Sequence, residues 1–129
     1  MSRGLKQTAA GILVVFAVAQ LIRPNRANPP TDASRTIHTQ LGTANGMAAI
    51  LDRACGDCHS NNTVWPWYTE VAPVSWAMAY AVKEGRRAVN FSDWTAYPAE
   101  RRRQLLVVSC QDVSGGKMPG SAWTWLHPE

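Results

Sequence analysis

The stretch Cys55-Gly56-Asp57-Cys58-His59 decides how the chain is read. Two thiols three positions apart, with an imidazole directly after the second, form the attachment signature of a c-type haem. Each sulfur can form a thioether with one vinyl group, and the short loop holds His59 under the ring, where it can bind the iron axially. Two other chemistries use neighbouring thiols: a thioredoxin-like dithiol and half of a structural zinc site. The dithiol wants a strand–helix–strand context, whereas the stretch before the motif places Met47, Ile50, Leu51 and Ala54 at helical spacing. A zinc site wants a second ligand pair, and beyond the motif the chain offers only His38, His127 and Cys110. Haem attachment is the expectation these comparisons leave.

Outward from the motif, the chain reads as a series of helices and ordered loops. A short helix is expected over Thr43–Ala54. Asn61 to Pro73, with the cluster Trp65-Pro66-Trp67-Tyr68, reads as an ordered loop wrapped against something apolar. Ser75 suits a helix cap, with Met78, Ala81 and Val82 facing inward until about Gly85. A third helix should open after Pro98 and run to about Val113, where Gly115-Gly116 stops it. Cys110 falls on the Leu106–Cys110–Val113 stripe of that helix, so a buried apolar role is expected for it. Almost nothing alternates with period two, which predicts very little sheet.

The chain has 129 residues and a net charge of +4, enough for one domain with an appendage. The run Arg101-Arg102-Arg103 reads as a solvated helix face, and no basic stripe interleaved with aromatics supports nucleic-acid binding. Six tryptophans provide the aromatic planes that enclose a flat apolar macrocycle, although tryptophan also serves as ordinary core filler.

At the N-terminus, Arg3 and Lys6 precede an uncharged stretch from Gln7 to Ile22. As a helix it would span about 24 Å, against about 30 Å for a hydrocarbon core. Either a cleaved signal peptide or a retained membrane anchor fits, and Leu21-Ile22 beyond the small-residue pattern at Ala17–Ala19 favours the anchor. The polar segment that follows, broken by Pro24, Pro29 and Pro30, reads as a tether of polyproline II character. The divisions expected are an anchor or signal segment over 1–22, a tether over 23–43 and a c-type haem domain over 44–129.

Opposite His59, four side chains compete for the iron. Met118 follows the glycine pair and precedes Pro119 on a loop able to present a thioether, and it is the preferred candidate. Met78 and Met47 lie on helices where methionine is usually core, and His127 near the chain end would give a bis-histidine haem. The carboxylates of a haem need donors. Arg86, Arg87, the indole N–H groups of Trp65 and Trp67, and Tyr68 are candidates, while the two arginines also suit a solvated helix end.

Beyond single motifs, Cys55–Asn61, Trp65-Pro66-Trp67-Tyr68, Ala72–Trp76, Glu84-Gly85-Arg86, Asn90-Phe91-Ser92-Asp93-Trp94, Lys117-Met118-Pro119 and Leu126-His127-Pro128 resemble the haem-binding domain family of bacterial membrane-anchored monohaem cytochromes. The resemblance runs from about Gln20 to the end of the chain. It implies that Cys55 and Cys58 attach the haem, that His59 is the proximal ligand, and that Met118 is the sixth. The chain departs from the family in stopping shortly after Leu126-His127-Pro128 and in having Gly120 where a second proline is common.

Taken together, the expectation is an all-α, cytochrome c-like haem domain behind one N-terminal membrane helix. It would carry one covalent haem c at the periplasmic face of the bacterial cytoplasmic membrane, and exchange single electrons with protein partners without being an enzyme. The alternative is a haem sensor or peroxidase-like enzyme with an open or displaceable distal position.

Overall fold

The computed structural model describes residues 2–42 and 46–126. Seven α-helices are present among them: α1 (Arg3–Ala19), α2 (His38–Leu41), α3 (Gly46–Ala54), α4 (Gly56–His59), α5 (Val74–Ala88), α6 (Ala99–Ser114) and α7 (Ser121–Leu126). Tight 3₁₀ turns at Ala33–Arg35, Trp67–Glu70 and Phe91–Ala96 join them, and no strand occurs among the described residues. The chain is therefore all-α, as its lack of period-two patterning predicts.

The core is small and aromatic. Ile37, Val89, Phe91, Trp94 and Leu105 are buried against one another, with Leu41, Leu51, Cys55, Tyr97 and Leu106 packed around them. Trp94 is fully buried, and its indole N–H donates to the Gln40 side chain at 2.8 Å, so the ring's one polar atom is satisfied. The Tyr97 hydroxyl accepts from the Asn90 N–H at 3.0 Å and closes the Phe91–Ala96 turn from the other side. Asn90 itself caps that turn, accepting from the Ser92 N–H at 3.0 Å.

Several expectations are corrected by this architecture. The segment from residue 23 to 37 is no free tether: it is a strap bonded along the domain. Arg26 donates to the Thr69 carbonyl at 2.9 Å, and Asn28 to the Thr63 carbonyl at 2.9 Å. The Pro30 carbonyl accepts from Asn61 at 3.2 Å. The Ile37 N–H donates to the Phe91 carbonyl at 2.8 Å, and the Ile37 side chain is 1% exposed. Pro24, Pro29 and Pro30 fix φ along its first half and carry no N–H that would need a partner.

The membrane-spanning helix is likewise not supported. α1 has 17 residues, about 25 Å of rise, and no helix among the described residues is long and apolar enough to cross a membrane. Its end is set at Gln20, whose side chain turns to the domain, accepting from the Ala72 N–H at 2.9 Å and donating to the Ala72 carbonyl at 3.3 Å. Leu21 and Ile22 thus fall outside the helix.

Two smaller corrections concern α5 and α6. α5 starts one residue before Ser75, with Pro73 at its cap position, and Ser75 is buried. Within it Val82 is buried and Met78 half-buried, but Ala81 is exposed. α6 runs over Ala99–Ser114, close to the expected span. Only its first half, through Leu105 and Leu106, reaches the core, so Cys110 is exposed along with Val107, Val108 and Val113.

Candidate haem site

The motif occupies the single turn α4, entered from α3 and packed against α5. α5 approaches so closely that a β-carbon at Gly85 would lie 3.0 Å from the Cys58 carbonyl carbon and 3.2 Å from its Cβ. Only glycine fits there. This contact sets how the second thiol of the motif is presented.

His59 is half-buried, and its Nδ1 lies 3.1 Å from the Val89 carbonyl oxygen at the end of α5. A carbonyl can only accept, so Nδ1 carries the proton, and in the neutral ring Nε2 keeps its lone pair. An outer partner of this kind fixes both the tautomer and the ring orientation of a metal-binding imidazole. The Phe91 ring, 5.8 Å away between centroids, packs beside it.

Cys55 and Cys58 are both half-buried, and burial pushes both thiols up from the usual range. For Cys58, Asp57 and Cys55 add to the rise and Arg86 opposes it. Reactive dithiols of the thioredoxin type need the opposite, a depressed value. No group of three or more His, Cys, Asp and Glu side chains suited to a metal ion occurs among the described residues.

The loop after the motif is held by side chains rather than by regular structure. The Thr63 hydroxyl donates to the Asp57 carbonyl at 2.6 Å, and the Asp57 carboxylate accepts from the Val64 N–H at 2.8 Å. Asn61 accepts from Asn90 at 2.9 Å through its side chain, while its N–H donates to the Ser92 hydroxyl at 2.9 Å.

Arg86 is the centre of this network. It donates to the Ser60 carbonyl at 2.7 Å, to Asn28 of the strap at 2.7 Å and to the Thr63 hydroxyl at 2.8 Å. Its guanidinium therefore has a scaffold task that the sequence does not announce. Arg87, the other arginine considered as a carboxylate donor, is exposed and paired with Glu84 at 2.6 Å.

The remaining candidates are spread over the surface of this frame. Trp65 follows the Asp57-bound Val64; Arg26 lies over its ring at 6.0 Å, and its indole N–H is buried without a hydrogen-bond partner. A buried unmet donor costs about 1–3 kcal/mol. Trp67 is 78% exposed, and Tyr68 meets it edge to face at 6.0 Å. Met118 is exposed, on a loop fixed to α6 by its own N–H and that of Lys117, both donating to the Asp112 carbonyl. Met47 is exposed as well. His127 lies outside the described residues.

Beside the motif, Gly56, Asp57, Ser60, Val64 and Phe91 line a recess of about 370 Å³, within the range of small-ligand clefts.

The chain matches the family described as a haem-binding domain over residues 14–129, nearly its whole length. It belongs to the haem-binding domain family. No curated protein and no solved structure matches the chain. The residues present suit the family's cofactor on two counts. Cys55, Cys58 and the free Nε2 of His59 form the donor set of covalent haem attachment, and the unmet Trp65 N–H suits a ligand that brings carboxylates.

Proposed function

We propose that this haem-binding chain carries one haem c, bonded through Cys55 and Cys58. His59 is its proximal ligand and Met118 its distal one. The chain passes single electrons between redox proteins at the periplasmic face of the bacterial cytoplasmic membrane. The observation that carries the reading is the His59–Val89 hydrogen bond, which occupies Nδ1 and leaves Nε2, in the residue next to Cys58, available to a metal.

Each residue of the site has a defined task in this reading. The Val89 carbonyl keeps the proton on Nδ1, and Phe91 limits rotation of the ring. Asp57, Thr63 and Arg86 hold the loop in one conformation, so that both sulfurs are presented together. Burial keeps the thiols protonated and slow to form a disulfide before they react. Haem, when bound, supplies an iron that cycles between two oxidation states. A thioether from Met118 would favour the reduced state and would fill the position a reactive ligand needs, which supports electron transfer over catalysis.

Expression alongside a c-type maturation apparatus tests the proposal. A haem stain that stays with the denatured polypeptide, together with a low-spin spectrum in both oxidation states, is the expected result. A polypeptide without bound porphyrin overturns the attachment, and a high-spin ferric spectrum replaces electron transfer with the sensor or peroxidase-like alternative.

A further inference from the structure

We propose that the outer face of α5, together with the end of α1, is a docking surface for a phospholipid bilayer. It holds the haem motif against the membrane instead of at the end of a tether. The inference rests on the membrane-face location proposed above and adds which surface meets the lipid.

The first observation is the junction. The strap turns back at once after α1, and three contacts fix α1's end to the start of α5: the paired bonds of Gln20 with Ala72, the Trp76 indole N–H donating to the Ile22 carbonyl at 2.8 Å, and Arg23 donating to the Glu70 carbonyl at 3.3 Å. Whatever takes up α1 is thereby brought to α5.

The second observation is what α1 presents. None of its residues is buried, and Ile12, Leu13, Val14, Val15 and Val18 are each 56–70% exposed. From Ala9 to Ala19 this is an uninterrupted apolar surface on all sides of the helix, far beyond the scattered apolar residues of an ordinary soluble surface.

The third is the composition of α5. Its buried residues are Ser75, Val82 and Gly85, and Gly85 lies against Cys58 of the haem motif. Trp76, Tyr80, Lys83 and Arg87 recur at helical spacing on the opposite side, with Tyr80 66% and Trp76 36% exposed. Aromatic rings with polar tips, followed by long cationic side chains, are the composition of a membrane interface, where rings sit at headgroup level and cations meet anionic lipid. Arg87 is paired with Glu84, which leaves Lys83 as the unpaired cation of the stripe among the described residues. It is the continuity of this face with the exposed apolar α1, through the Gln20 and Trp76 contacts, that makes lipid the occupant that fits. With Gly85 against Cys58 on one side and lipid on the other, the thioether positions lie about one helix diameter, roughly 10 Å, from the bilayer.

The test uses the full haem-loaded chain reconstituted in liposomes of mixed zwitterionic and anionic phospholipid. Hydroxyl-radical footprinting is read residue by residue by mass spectrometry, with the chain in detergent as reference and Tyr97 as internal control. Oxidation of Trp76 and Tyr80 is expected to fall at least about threefold while Tyr97 is unchanged, as for aromatic rings taken into an interface. Insertion of a flexible Gly-Ser segment between Ala19 and Gln20, which frees α1 from all three contacts, should abolish that protection. A chain that floats with the liposomes but leaves Trp76 and Tyr80 oxidised at the detergent rate overturns the docking surface and spares the location. Failure to float overturns both. Protection that grows with protein-to-lipid ratio assigns the face to a second copy and overturns the lipid reading.

Discussion

Gly85 and Cys58 meet backbone to backbone, leaving no space for a methyl group between α5 and the haem motif. The contact is between two rigid segments, so neither side can yield by rotating a side chain. Gly85→Ala must therefore separate the helix from the loop. Overpacking of this kind costs about 1–3 kcal/mol, and the backbone contact places the variant at the upper end. A lower midpoint in denaturant unfolding is expected, with less haem retained per polypeptide on a stained denaturing gel. A Gly85→Ala protein as stable and as fully loaded as the native chain would show that the close approach has no role.

Arg86 ties together three parts of the chain that are far apart in sequence: Ser60 after the motif, Thr63 in the loop and Asn28 in the strap. Lysine keeps the charge but loses the planar fork that makes these bonds simultaneously. Arg86→Lys should cost about 1.5–3 kcal/mol, the range for a hydrogen bond to a charged group. The strap should also become a site of limited proteolysis between residues 23 and 37. Unchanged stability and an intact strap would show that Arg86 is merely a surface cation.

The strap marks the boundary of what the sequence could convey. Helices α3, α5 and α6 are visible as apolar residues at helical spacing, and the motif as a fixed pattern of three side chains. Local signals suffice for both. The role of the strap is set by contacts more than thirty residues away, such as Asn28 to Thr63 and Ile37 to Phe91, and prolines look the same in a loose linker and a bonded one. Cys110 illustrates a different failure. Its stripe on α6 is real, but the domain covers only the part around Leu105 and Leu106, and periodicity does not reveal where a partner surface ends. Arg86 was legible as a cation near the site, yet its three acceptors are carbonyl, amide and hydroxyl oxygens that carry no pattern in sequence.

Met118 supplies the discriminating variant for the distal position. It stands on a loop anchored to α6 by two N–H bonds to the Asp112 carbonyl, so replacing its side chain leaves the loop's own frame intact. Met118→Ala should keep the covalent haem. It should lose the weak red thioether-to-iron band of the oxidised protein and lower the reduction potential, because a thioether stabilises the reduced iron. A variant with an unchanged low-spin spectrum and potential would remove Met118 from the site and return the choice to another side chain.

Before attachment, the two motif thiols make the chain sensitive to alkaline pH in a direction the structure defines. Burial raises Cys55 and Cys58 above the ordinary thiol value of 9.0. Between that value and the raised ones, the unfolded chain has released protons that the folded chain still holds, so unfolding is favoured as pH rises. The stability that the neutral thiols contribute is complete below pH 9.0 and is lost as pH climbs through the raised values. Urea midpoints of the haem-free chain should thus fall across this alkaline window more steeply than those of a Cys55→Ser/Cys58→Ser variant, which shares every other titrating group. In the haem-loaded protein the sulfurs carry no proton, and the difference should vanish. Parallel curves for the haem-free chain and its serine variant would mean that the thiols sit in water, which would also undo the argument that burial keeps them in reserve for the cofactor.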